Sequence, residues 1–302
     1  MRRILITGKN GQVGFELQRS LSVLGEVIAV GREDCDLADP AAIDALVNRI
    51  APDVIVNPAA YTAVDRAETD VSAARAINEM APATLAAAAL RHGALLVHYS
   101  TDYVFDGAQT TPYQEADVAA PRSVYGQTKR AGEVAIELSG CRHVTLRTSW
   151  VYGVWGNNFA KTILRLAHER DALKVVADQF GAPTPAALIA DVTAHLVARY
   201  LAGADAAAFP FGTYHLTTRG ETSWHGYAKT LIMAARALGA QIRLDPSAIT
   251  PVSTAEYPLP APRPANSRLS TEKLQNTFGL DLPHWEQALA HVLRQLIPTE
   301  KS

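Results

Sequence analysis

Tyr125 and Lys129 stand four residues apart in "SVYGQTKRAGE" (123–133), a stretch with the pattern of a helix. Residues at that spacing share one helix face, with Cβ atoms about 5–6 Å apart. An ammonium beside a phenol favours the phenolate and lowers a hydroxyl pKa that starts at about 10. Tyr125 would then give a proton to a carbonyl oxygen while hydride arrives on the adjoining carbon, and Lys129 would also hold the ribose of a nicotinamide. A surface tyrosine and a solvated lysine share the same spacing, so the pair needs support from elsewhere in the chain. "VHYSTDYVFDG" supplies it, with Ser100, Thr101 and Asp102 directly after an apolar run. Thr101 offers a hydroxyl that would share the substrate oxygen with Tyr125, as an oxyanion donor does. A Ser-Thr-Asp run on its own is also a common cap or turn.

A hydride donor needs a seat, and "LITGKNGQVG" provides one at the start of the chain, where Gly8, Gly11 and Gly14 separate an apolar run from a helical pattern. Glycines there permit a tight turn, let the backbone approach a pyrophosphate and let the helix pack closely, while the helix N-terminus favours the anion. The spacing is G-x-x-G-x-x-G, a weak motif by itself. The second apolar run ends in "AVGRED", with Gly31 and Arg32 ahead of Glu33 and Asp34. An acid at that point accepts the ribose hydroxyls of NADH, whereas an arginine accommodates the additional phosphate of NADPH. NADPH is therefore the expected cofactor, with NADH the alternative and a solvated surface role for Arg32 still open. Asp36 and Leu37 are candidates for the adenine pocket, and Asp39 before Pro40 has the form of a helix N-cap.

The elements that must position these groups follow from the alternation of the first half. "RILIT", "EVIAV", "DVIVNPA", "ALLVHYS" and "HVTLRTS" are strand-like and apolar on both faces, and helical patterns separate them, among them the long "DRAETDVSAARAINEMAPATLAAAALRHG". Buried strands alternating with helices predict a Rossmann-like, doubly wound parallel α/β sheet. Residues 1–150 are expected to form the dinucleotide-binding domain, and 151–302 mainly a smaller α/β substrate-binding lobe, with later returns to the sheet allowed. The proline-dense "TPVSTAEYPLPAPRPANSRLS" (250–270) predicts an extended, ordered wall of a cleft. Residues 107–123 have the length of a flap over that cleft and equally suit a static loop.

Composition excludes several classes. Net charge is −2 with scattered basic residues, which does not suit a protein gripping nucleic acid. No apolar run approaches the roughly 20 residues that cross a bilayer. The two cysteines, Cys35 and Cys141, lack metal-site spacing. Cytoplasmic location, no zinc site and no membrane partner are the expectations.

Taken together, "TGKNGQVG", "STDYVFDG" and "YGQTK" resemble the extended short-chain dehydrogenase/reductases. "NPAAYTAVDRAE", "RTSWVYG", "GNNFAKT", "DQFGAPT", "SWHGYA" and "RPANSRL" narrow the resemblance to the dTDP-4-dehydrorhamnose reductase family over nearly the entire chain. That resemblance implies reduction of the C4 ketone of dTDP-6-deoxy-L-lyxo-4-hexulose to dTDP-L-rhamnose, with Thr101, Tyr125 and Lys129 as the catalytic set. It implies substrate contacts at Asp102 and Trp150, and cofactor contacts at Gly11, Gln12, Val13, Asp36, Leu37, Ala60, Tyr61, Thr62, Tyr99, Tyr125 and Lys129. A flat indole at Trp150 suits the apolar face of a sugar ring. Some relatives form dimers tied by magnesium through glutamates. Here Glu16 is a candidate ligand, while Ala187 stands where a second acid would be useful, so no metal residues are assigned and a homodimer is allowed. Two other readings remain: a related nucleotide-sugar epimerase or dehydratase, and a regulatory subunit that binds NADP without turnover.

Overall fold

Six parallel strands carry the computed structural model, which describes residues 1–203 and 208–297. They are β1 (Arg3–Ile6), β2 (Glu26–Ala29), β3 (Val54–Asn57), β4 (Leu95–Thr101), β5 (His143–Thr148) and β6 (Gly212–His215), in the spatial order β6-β5-β4-β3-β1-β2. The strands are apolar on both faces because helices cover both. On one face Ile4, Ile6, Val54, Val56, Leu95 and Val97 meet α1 (Gln12–Leu21) and α6 (Ala186–Ala202). On the other, Leu5, Ile55 and Leu96 meet α2 (Pro40–Ile50) and α3 (Ala81–His92), with Ile136 of α4 (Val124–Ser139). The alternation is the two-residue period of a strand. The order reverses between β1 and β3, and the crevice at their carboxyl ends is where such sheets bind ligands.

The sheet takes elements from well beyond residue 150. Helix α6, strand β6 and the helix Glu272–Phe278 pack on it or pair with it. The second lobe is built around α5 (Phe159–Glu169), α7 (Trp224–Ala237) and the final helix Trp285–Leu296. Two short parallel strands, Leu173–Val176 and Ile249–Val252, join them, with Tyr152, Ile163, Tyr227, Leu231 and Trp285 buried at the centre.

Local chemistry explains the element ends that matter for the site. Asp39 caps α2, its side chain accepting from the Ala41 amide at 2.9 Å, and Pro40 follows with no N–H left unsatisfied. The long helical stretch expected after β3 is instead divided into Val64–Ala67, Val71–Arg75, a wider π-type turn Ala76–Met80, and α3. Pro82 has no N–H to give the carbonyl of Asn78 four residues back, so the regular ladder cannot run through this point. Residues 107–123 form a fixed loop. Tyr113 exchanges backbone bonds with Arg268 and Ser270 at 2.8 and 2.7 Å, its ring stacks on Phe105, and the Asn266 amide ties down the carbonyls of Gln109 and Thr111. Among the described residues, no helix is long and apolar enough to cross a membrane.

Candidate active site

The turn after β1 places Gly8 at φ +61°, and a Cβ on Gly14 would lie 2.1 Å from the Gly8 carbonyl oxygen. Only glycine at position 14 lets α1 start this close to the strand, so its N-terminal amides form the floor of a cavity of about 540 Å³. That cavity is lined by Gly8, Gly11, Gln12, Val13, Gly14, Arg32, Asp36, Leu37, Ala60, Thr62, Tyr99, Tyr125 and Lys129. Backbone amides at a helix N-terminus, small residues after β3 and an arginine after β2 form a donor set suited to a dinucleotide.

Tyr61 does not line the cavity. Its hydroxyl bonds Asp70 at 3.1 Å, and its main chain is held by Asn78, which accepts from the Tyr61 amide at 2.8 Å and donates to its carbonyl at 3.1 Å. Asn78 also donates to Thr128 on α4 at 3.2 Å and is buried. It fixes the loop after β3 against the helix that carries Tyr125, a role that nothing in its sequence neighbourhood signalled. The nearest cue was Pro82, which marks the helix irregularity that contains Asn78.

A second cavity, of about 970 Å³, adjoins the first. The two share Gln12, Thr62, Ser100, Tyr125, Thr148 and Val151, so Tyr125 stands where they meet. Thr101, Asp102 and Trp150 line the second, and the proline-dense segment forms its far wall through Tyr257, Pro258 and Pro262. That wall is pinned by Arg263, which donates to Asp65 at 2.7 Å. Trp150 has φ +49° and stacks on Trp224 with ring centroids 3.6 Å apart, while Gly181 packs so closely that a Cβ there would meet the indole at 2.6 Å. The indole is thus already engaged by protein on one face.

Profile comparison matches residues 1–297 to the family described as the RmlD substrate binding domain. A dTDP-4-dehydrorhamnose reductase of Burkholderia thailandensis is 50% identical over 98% of this chain and 99% of its own. The chain belongs to the dTDP-4-dehydrorhamnose reductase family. A solved reductase of this name from Clostridium acetobutylicum superposes with a TM-score of 0.89 at 37% identity, covering 97% of this chain and 99% of that one. Another, from Bacillus anthracis and in complex with NADP, gives 0.87 at 35% identity over 98% and 100%. Like other members of this reductase family, the protein is an oxidoreductase that uses a nicotinamide cofactor.

The residues singled out by their spacing have environments that the spacing did not reveal. Tyr125 is expected from sequence to have a lowered pKa, but burial pushes it up to about 12. Lys129 does not offset that burial. Its ammonium turns into the sheet, donating to the Tyr99 carbonyl at 2.6 Å and facing His98 Nε2 at 3.2 Å. Burial brings Lys129 down to about 8, opposed by the charge of Glu133. Tyr99 places its hydroxyl 2.8 Å from Thr193 of α6, so that ring spans from the first cavity to the helix behind it. Asp102 is pushed up to about 6 by burial, against hydrogen bonds from Ser267 and Thr101, and its second oxygen has no partner.

The acids near the candidate Glu16 are engaged by an arginine. Arg19 bridges Glu16 at 3.6 Å and Asp191 at 2.9 Å, so a guanidinium already neutralises the carboxylates on α1 and α6. Among the described residues, no group of three or more His, Cys, Asp and Glu side chains is placed to hold a metal.

Proposed function

We propose that the protein reduces the C4 ketone of dTDP-6-deoxy-L-lyxo-4-hexulose to dTDP-L-rhamnose, with the nucleotide sugar in the larger cavity and NADPH in the smaller. The observation that carries this reading is the meeting of the two cavities at Tyr125, with Thr101 beside it. A bound reduced nicotinamide supplies the hydride. Tyr125, protonated throughout the neutral range, donates its hydroxyl proton to the ketone oxygen, and Thr101 gives a second hydrogen bond to the same oxygen. Lys129 holds the nicotinamide ribose and keeps a positive charge beneath the site. Asp102 and the Trp150–Trp224 stack orient the sugar, and the lobe built largely from residues beyond 150 closes over the nucleotide.

NADPH is preferred on this reading because the acids after β2 are taken up elsewhere. Lys9 Nζ holds Glu33 at 3.0 Å and Asp34 at 2.6 Å, and Asp34 also accepts from the Gly31 amide. Arg32 is left exposed at the cavity edge, the place for a 2′-phosphate. Arg32→Ala is expected to raise the KM for NADPH by about tenfold with little change for NADH, the loss of one charged hydrogen-bond partner. Equal effects on both cofactors in steady-state assays would remove Arg32 from phosphate recognition.

The experiment that tests the whole reading follows NADPH oxidation by the purified protein supplied with enzymatically made dTDP-6-deoxy-L-lyxo-4-hexulose, with product identified by chromatography and NMR. Stoichiometric formation of dTDP-L-rhamnose is the expected result. Cofactor binding without consumption would point instead to a regulatory subunit, and interconversion of sugars without net oxidation to an epimerase.

A further inference from the structure

Beneath Lys129 runs a line of buried polar side chains that the reduction as described does not use. His98, in the middle of β4, presents Nε2 to the Lys129 ammonium at 3.2 Å. Its other ring nitrogen, Nδ1, lies 3.1 Å from Nδ2 of the Asn57 amide at the end of β3. The opposite end of that amide meets the Thr7 hydroxyl, just past β1, at 2.5 Å. Asn57 and His98 are partners in the parallel register of β3 and β4. Thr7, Asn57, His98 and Lys129 are each at most 2% exposed. Central strands of a parallel sheet are normally filled with apolar side chains, and a polar line here costs desolvation unless every member is paired.

Pairing along this line restricts its states. A protonated Lys129 can only donate, so Nε2 must then be a bare acceptor and the ring proton must sit on Nδ1. The Asn57 atom facing Nδ1 is then its carbonyl oxygen, and its NH₂ turns to the Thr7 hydroxyl. If Lys129 is neutral, Nε2 can instead carry the proton and donate to the amine; Nδ1 then accepts from the Asn57 NH₂, and the Thr7 hydroxyl donates to Asn57 Oδ1. The oxygen and nitrogen of a primary amide occupy nearly the same shape, so both orientations fit. The charged lysine permits only the first chain, whereas the neutral amine also permits the second, whose Asn57 orientation, Nδ2 toward His98 and Oδ1 toward Thr7, is the one in the structure.

We infer that His98 is a positioning residue for Lys129, held by Asn57 and Thr7, and that its ring tautomer follows the charge state of the lysine. This inference rests on the reductase reading and deepens it. The charged and titratable groups around the pair are few. Tyr125 and Glu133 lie one turn away on the lysine's own helix. Tyr99 and Asp102 flank from β4 and its end. His143 and Arg147 belong to β5, and Arg147 is committed to Glu133 through two 2.8 Å bonds. Burial, with Lys129 and His143 nearby, holds His98 neutral. Its lone pair therefore stabilises the ammonium, and its loss should take Lys129 further down.

Two measurements test this on the intact protein. In ¹⁵N-histidine NMR, the resonance pair missing from the His98→Gln spectrum is expected to show Nδ1–H with a bare Nε2 at about pH 6 and to change to the Nε2–H tautomer towards about pH 10. A single unchanging tautomer, or an imidazolium, overturns the inference even if the reductase assay fails. In the kcat profile, His98→Leu is expected to lose about tenfold and to move the alkaline limb down by about one pH unit, with the sugar KM unchanged. His98→Gln, whose amide can accept from Lys129 and donate to Asn57, should bring the limb back. A loss of rate with the limb unmoved means that His98 only fills space. If His98→Leu does not fold, the tautomer measurement and the glutamine variant still decide.

Discussion

Tyr125→Phe is expected to lower kcat for NADPH-dependent ketone reduction by about 10²–10⁴-fold, the range for removing a positioned general acid. The phenol is the protonated group at the junction of the two cavities, half-buried against Tyr103 in an edge-on contact with centroids 5.4 Å apart. With burial pushing its pKa up to about 12, it carries its proton in the neutral range. Phenylalanine keeps the ring, the Tyr103 contact and the helix, so NADPH binding, read by fluorescence titration, should change little. The split between an intact Kd and a collapsed kcat is the signature. A rate within about fivefold of the parent would mean that another group supplies the proton. Because the tyrosine titrates so high, the alkaline decline of activity is expected at about 8, where Lys129 loses its charge.

The second large effect concerns stability. Arg147→Met is expected to cost about 3–5 kcal/mol in urea unfolding, the range for removing one partner of a buried ion pair. Glu133 on α4 has no exposed side-chain surface, and Arg147 on β5 grips it with Nε and Nη2, each at 2.8 Å. Arg130 adds a third bond at 2.8 Å from the helix surface. Burial works to raise the Glu133 pKa, but the hydrogen bonds and charge of Arg147 outweigh it and hold the carboxyl below its usual range. The sign follows from that direction. A carboxylate whose folded pKa is depressed contributes stability that is present above the unfolded value of about 4.3 and is lost as pH falls through the folded one. Acid unfolding should therefore set in below that range, and Arg147→Met should shift it to higher pH. A double substitution, Arg147→Met with Glu133→Leu, is expected to recover much of the loss, because the penalty lies in the stranded carboxylate rather than in the missing pair. If the double variant is as unstable as the single one, packing of the guanidinium over Phe105, at 5.1 Å, is the larger contribution.

Much of this molecule was readable before its fold was known, and the legible parts share a property. Period-two apolar runs separated by helical patterns, the glycine turn before α1, the Asp39-Pro40 cap, the one-turn spacing of Tyr125 and Lys129, and Ser100-Thr101-Asp102 at a strand end are all local patterns. Steric limits and helix or strand period set them within a few residues, so the chain states them directly. The family resemblance then extended the same local motifs to the whole chain. What the tertiary structure decided are pairings between distant segments. Asn57 meets His98 across 41 positions, Asn78 meets Thr128 across 50, and Tyr99 meets Thr193 across 94. Helix α6 and strand β6 return to the first sheet, and residues 107–123 are locked to 266–270. Each depends on strand order and register, which short-range pattern does not encode. Lys129 shows the division most plainly. Helical spacing put it on one face with Tyr125, but the carbonyl of Tyr99 and the ring of His98, brought there by β4, determined where its ammonium points.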